Sequence, residues 1–151
     1  MKAMGLILAA AAAVAVGALA LTQTKTLTAE TRHKVAIQVD ENNPATMNLA
    51  LNNVQNIIAH YKSLNEAVDV QVVTFGPGLH MLRTDTSPVK QRISTMALEN
   101  PNLTFAACAN TQANQTKQEG KQVELISEAR IVPSGVITLI ELQAKGYAYL
   151  R

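Results

Sequence analysis

One cysteine, Cys108, lies in the stretch Phe105-Ala-Ala-Cys-Ala-Asn-Thr-Gln112, where an apolar run gives way to polar residues. A thiol with no partner in its own chain cannot close an internal disulfide, so it is packed, paired with another molecule, or reactive. The residues leave two readings open. Cysteine is often a small core hydrophobe, and a strand carrying Ala106 and Ala107 could bury one. A sulfur at the end of a strand and the start of a helix also meets unpaired backbone N–H groups, and these favour the thiolate. A hydrolytic nucleophile would further need a base and an orienting group. His60 falls inside a helical pattern and His33 opens a strand, which leaves His80, two residues past Gly78, as the candidate. A loop histidine without a chemical role is nevertheless the commoner case.

Other chemistries find less support. Gly76-Pro-Gly78 lacks the longer glycine pattern and the lysine of a phosphate-binding loop, does not match the dinucleotide fingerprint, and reads as a tight turn. No pair of Cys or His residues has metal-ligand spacing, and Asp40-Glu41 reads as a capping pair, so neither a metal nor a cofactor is expected. The amides of Asn42, Asn43, Asn110 and Gln143 could bind a polar ligand, although loop asparagines usually serve turn geometry.

The elements that must position these groups follow from composition and periodicity. At 151 residues and 48% hydrophobic, the chain can close one core without disulfides or a structural metal. Its formal charge of +2, with acids and bases interspersed, offers no basic stripe for nucleic acid. The N-terminus is a separate object. Residues 1–4 carry one positive charge, residues 5–21 carry none, and Ala18-Leu19-Ala20 fits the small-x-small site of a signal peptidase. Residues 1–20 therefore read as a secretory signal and place the protein in the periplasm or otherwise outside the cytoplasm. The alternative is an uncleaved anchor formed by residues 5–21, the chain's one route to a membrane. Residues 21–32 read as a flexible leader, and residues 33–151 as the folded domain.

Within that domain short apolar runs alternate with helical patterns, which is the βαβ signature. Lys34-Val-Ala-Ile-Gln-Val39 is a strand whose polar sequel caps a helix beginning at Pro44, and Met47, Ala50, Leu51, Val54, Ile57, Ile58 and Tyr61 form its apolar stripe. A second strand spans 68–75. A helix with Val89, Ile93, Met96 and Ala97 follows Thr86-Ser-Pro88, and a third strand, 102–107, leads into Cys108. Residues 110–120 read as a short exposed helix stopped by Gly120, and residues 123–127 as a further turn. The fourth strand is 129–132, Pro133-Ser134-Gly135 opens the last helix, Gly146 ends it, and 147–150 is the fifth strand. The expected fold is α/β, a three-layer sandwich of flavodoxin-like architecture with a five-stranded, mostly parallel sheet. Asn42, Gly78, Cys108 and Ser134 all fall in strand-to-helix loops, which gather at the carboxyl edge where open α/β sheets place their sites.

Asn48-Leu-Ala-Leu-Asn-Asn-Val54, Gly76-Pro-Gly-Leu-His80, Phe105-Ala-Ala-Cys-Ala-Asn-Thr111, Val132-Pro-Ser-Gly-Val136, Leu142-Gln143 and Gly146-Tyr-Ala-Tyr149 together resemble the DsrE/DsrF-like family over residues 34–150. The resemblance implies a three-layer α/β domain, assembly into homotrimers or hexamers, and a cysteine that carries sulfur as a persulfide between donor and acceptor proteins. Cys108 would inherit that role, with backbone N–H groups near residues 109–111 holding the sulfur anion and Asn110, Thr111 and His80 shaping the pocket. The other expectation is a non-catalytic oligomeric protein that binds a small ligand or a partner and keeps Cys108 as a packed residue.

Overall fold

The strands and helices expected from the apolar alternation form around one parallel sheet in the computed structural model, which describes residues 32–151. The expected signal segment, residues 1–20, and the leader up to residue 31 lie outside the described residues. Arg32, expected to close the leader, is the first residue of β1 (Arg32–Val39). The other strands are β2 (Ala67–Thr74), β3 (Leu103–Cys108), β4 (Ala129–Val132) and β5 (Ala148–Leu150). The helices are α1 (Pro44–Ser63), α2 (Lys90–Glu99), α3 (Ala109–Glu119) and α4 (Gly135–Ala144). All pairings are parallel, in the order β4-β3-β2-β1-β5. Among the described residues, no helix is long and apolar enough to cross a membrane.

Strand order decides which face each helix covers. The chain steps from β1 to β2, β3 and β4 in one direction, then returns past them to place β5 beyond β1. Right-handed crossovers put connections running in one direction on one face and the returning connection on the other. Accordingly Met47, Leu51 and Val54 of α1 and Ile93 and Met96 of α2 pack with Val35, Ile37, Val70, Val72 and Phe105. Leu139 and Leu142 of α4 meet Ala36, Val73 and Ala106 on the opposite face. Three layers result, and among the described residues α4 is the one helix of the third.

Local chemistry explains the ends. Asn43 caps α1 by accepting from the Ala45 N–H at 2.8 Å, with Pro44 at the first helical position. The polar side of α1 meets α2 through Arg92, whose guanidinium donates to Asn48, Asn52 and Gln55. Gly120 ends α3 in the left-handed conformation at φ +67°.

Two segments differ from their sequence reading. The Gly76-Pro-Gly78 turn extends into a 3₁₀ helix, Gly76–Leu82, because Leu79, Met81 and Leu82 are drawn into the core. The turn expected at residues 123–127 falls at Ser127 and Glu128, where Ala129 N–H donates to Ile126 O at 3.0 Å, and residues 123–126 lie along the segment after the 3₁₀ helix instead. Leu125 forms an antiparallel bridge with Arg83, flanked by hydrogen bonds from Thr84 N to Glu124 O and from Ile126 N to Leu82 O.

Candidate functional site

Cys108 ends β3 in register with Val132, the last residue of β4. After β3 the chain enters α3 beside the 3₁₀ helix, whereas after β4 it enters α4 on the other face. Neighbouring strands whose helices diverge open a crevice at their carboxyl ends, the switch point where ligands of open α/β sheets bind. Cys108 stands at that edge, beside the end of β4.

Its residue is 4% exposed. Side-chain alternation puts it on the same sheet face as Ala106, the face covered by α4. Sulfur occupies the N-cap position of α3, where an oxygen would normally accept from the first turn. No side-chain cap hydrogen bond forms there, yet the donors of that turn bear on the charged form of the sulfur. Burial pushes the thiol up. The Thr111 hydroxyl and the backbone N–H groups of Gly135, Thr111 and Asn110 outweigh it and leave the thiol below its ordinary value. The N-termini of α3 and α4 thus converge on one sulfur, adding two positive dipole ends to the individual hydrogen bonds.

The loop after β2 supports this cradle. Gly76, at φ +53°, donates its N–H to Thr111 Oγ1 at 3.0 Å, and its carbonyl accepts from Gln115 Nε2 at 3.2 Å. Gln115 Oε1 in turn accepts from Arg83 Nη1 at 3.1 Å. Arg83 is 1% exposed. Its Nε and Nη2 donate to the two oxygens of Asp85 at 2.9 and 2.8 Å, and Nη1 and Nη2 donate to Glu119. Lys121 Nζ lies 3.3 Å from Asp85, so two cations face two carboxylates.

The structure unites some of the expected site residues and separates others. Cys108, Thr111 and Asn110 meet, Asn110 through its backbone N–H, which also points to Pro133 O at 3.4 Å. Ser134 caps α4 by accepting from the Ile137 N–H, and so sets the orientation of Gly135 beside the sulfur. His80 is not among the groups that act on the thiol, and its Nδ1 lies 2.8 Å from Thr86 Oγ1. Burial and then the charge of Arg83 hold its pKa below the usual value, so the ring is neutral at pH 7. It lines a cavity of about 390 Å³ with Gly76, Pro77, Thr111, Gln115 and Glu119. Gly78 packs beneath the end of β1, and Asn42 is exposed in the β1–α1 loop, two strands from Cys108 in the sheet. Among the described residues, no group of three His, Cys, Asp or Glu side chains could hold a metal ion.

Sequence reasoning missed Gly135, Gln115, Arg83 and Glu119. The spacing of Thr111, Gln115 and Glu119, four residues apart, is a legible signal that they share one helix face. Nothing local shows that this face meets a buried arginine from another segment.

No family model and no curated protein matches the chain. Among solved structures it is similar to a protein of unknown function, MTH1491, from Methanobacterium thermoautotrophicum. The two are 28% identical with a TM-score of 0.67, over 79% of this chain and 98% of that one. The likeness bears on the α/β fold.

Proposed function

We propose that this is an exported sulfur-handling protein of DsrE/DsrF-like type, acting in the periplasm, that carries one sulfane sulfur on Cys108 as a persulfide. The observation that carries the reading is the position of that sulfur at the N-cap of α3, where one hydroxyl and three backbone N–H groups favour its anion. The Cys108 thiolate attacks the terminal sulfur of a donor persulfide, R–S–SH. The donor's S–S bond breaks, R–S⁻ leaves, and Cys108–S–SH forms with no net oxidation. An acceptor thiolate then attacks the terminal sulfur, forms its own persulfide, and releases the Cys108 thiolate. The cradle favours that release, since a stabilised thiolate is a better leaving group. Near-complete burial of Cys108 favours the small terminal –SH of a persulfide over a bulky disulfide.

Protein incubated with inorganic polysulfide is expected to gain about 32 Da, one sulfur atom, in intact-mass analysis, and Cys108→Ser to gain nothing. Native protein that gains no mass overturns the proposal. The 4% exposure of Cys108 also favours the second reading, a non-catalytic oligomeric binding protein with a packed cysteine. On that reading Cys108→Ser changes stability modestly and leaves function intact.

Assembly into homotrimers or hexamers belongs to the same proposal. Its support is the outer face of α4, where Val136, Ile137 and Ile140 are 50%, 52% and 57% exposed, immediately after Gly135. Such a stripe on a lone covering helix suits burial by another copy. Ile140→Lys is expected to weaken self-association at least about tenfold in light scattering, since a buried isoleucine contributes roughly 1.5–3 kcal/mol. An unchanged association state would remove α4 from the interface.

A further inference from the structure

Four hydrogen-bonding groups form a directed chain that ends at the Thr111 hydroxyl, three residues past the thiol. A guanidinium has five N–H donors and no acceptor, and Arg83 uses all five on Asp85, Glu119 and Gln115. The Gln115 amide therefore has one possible orientation. Its oxygen faces Arg83, and its NH₂ is left to reach the Gly76 carbonyl. Gly76, held on that side, presents its own N–H to Thr111 Oγ1. A hydroxyl has one hydrogen, and with an acceptor lobe of Thr111 occupied that hydrogen is free to turn toward Cys108, which stands three residues earlier at the N-cap of the same helix.

We propose that Gln115 is a positioning residue for Cys108: clamped by the buried Arg83, it holds Gly76 so that the Thr111 hydroxyl commits its hydrogen to the sulfur. Gln115 does not touch the sulfur. It acts through Gly76 and Thr111, and Arg83 acts through Gln115. The lowered pKa of the thiol, to which the Thr111 hydroxyl contributes, agrees with this arrangement. The inference rests on Cys108 reacting as a thiolate, as in the function proposed above.

The titratable and charged groups on the elements around this chain are His80 of the 3₁₀ helix, Arg83 and Asp85 after it, Lys117, Glu119 and Lys121 on and beyond α3, Arg130 on β4, and Glu141 and Lys145 on and just beyond α4. Asp85 and Glu119 titrate well below the thiol, and Arg83 above it. A pH profile near and above neutrality therefore reads the sulfur with little interference from this cluster.

The test is the rate of Cys108 alkylation by iodoacetamide against pH in the native protein. Thr111→Val is expected to raise the midpoint by about one pH unit, as loss of one charge-assisted hydrogen bond requires. Gln115→Ala is expected to raise it by about half as much, because the hydroxyl keeps its place but loses its orientation. Combining the two should move the midpoint no further than Thr111→Val alone, since both interrupt one chain. A Gln115→Ala midpoint equal to that of the native protein overturns the inference, as does an additive double variant. A merely structural Gln115 would lower the thermal midpoint and leave the pH profile in place. If Gln115→Ala does not fold, Gln115→Met keeps the volume and puts the same question. Native Cys108 that resists alkylation at every pH overturns the persulfide reading itself, which separates that failure from failure of the positioning role.

Discussion

Gly78→Ala is expected to destabilise the domain by about 4 kcal/mol or more, the range reserved for severe steric or packing faults. A Cβ at residue 78 would stand 2.1 Å from the carbonyl oxygen of Val39 and 2.7 Å from the Cα of Asp40. Both obstacles are backbone at the end of β1, where no side chain can rotate away. In a domain of this size the loss amounts to on the order of 15 °C in Tm, or failure to fold. Gly120→Ala is the control. Its Cβ meets nothing within 4 Å, and the φ of +67° alone should cost about 1 kcal/mol. Thermal unfolding of the two variants separates close approach from backbone preference. Equal losses would mean that the Gly78 contact relaxes at little cost.

Arg83→Met is expected to cost about 2–3 kcal/mol at pH 7, because five hydrogen bonds and two ion pairs lose their common donor. The figure lies at the low end for severed buried pairs because Asp85 and Glu119 are themselves partly exposed and water can replace some of the loss. Asp85 and Glu119 are held below their ordinary values of 3.8 and 4.5, each chiefly by hydrogen bonding to Arg83. Groups whose pKa is depressed by folding stabilise above the unfolded value, and that contribution is lost as the pH falls toward the folded one. The gap between native protein and Arg83→Met should thus be full at pH 7 and shrink below about pH 4. Urea unfolding at pH 7 and pH 3 measures it. A gap that does not narrow on acidification would show that Arg83 contributes through its buried stem and not through its charge.

Much of the scaffold was readable because its signals are local. The stripe from Met47 to Tyr61, the Asn43–Pro44 start of α1 and the Gly120 stop of α3 each act within a few residues and appear where their spacing puts them. The pairing of residues 124–126 was not readable, because their hydrogen-bond partners, Leu82 and Thr84, lie about 40 residues away. Gly78 was recognisable as part of a tight turn, but its close approach to the end of β1 was not. Arg83 gave no sign of burial, since arginine is normally exposed and its neutralisation depends on Glu119 from another element.

From the sequence alone follow the α/β alternation, the helix caps and the location of the cysteine where a strand meets a helix. Each is a matter of periodicity or capping, and each is settled by neighbours in the chain. Only the tertiary structure decided that α4 would cover the second face, and that Gly135 would bring a second helix N-terminus to the sulfur of Cys108. The reason is the return of the chain from β4 to the far side of β1. That reversal sends α4 to the opposite face and makes the carboxyl ends of β3 and β4 the switch point of the sheet, and a reversal of direction leaves no periodicity to read.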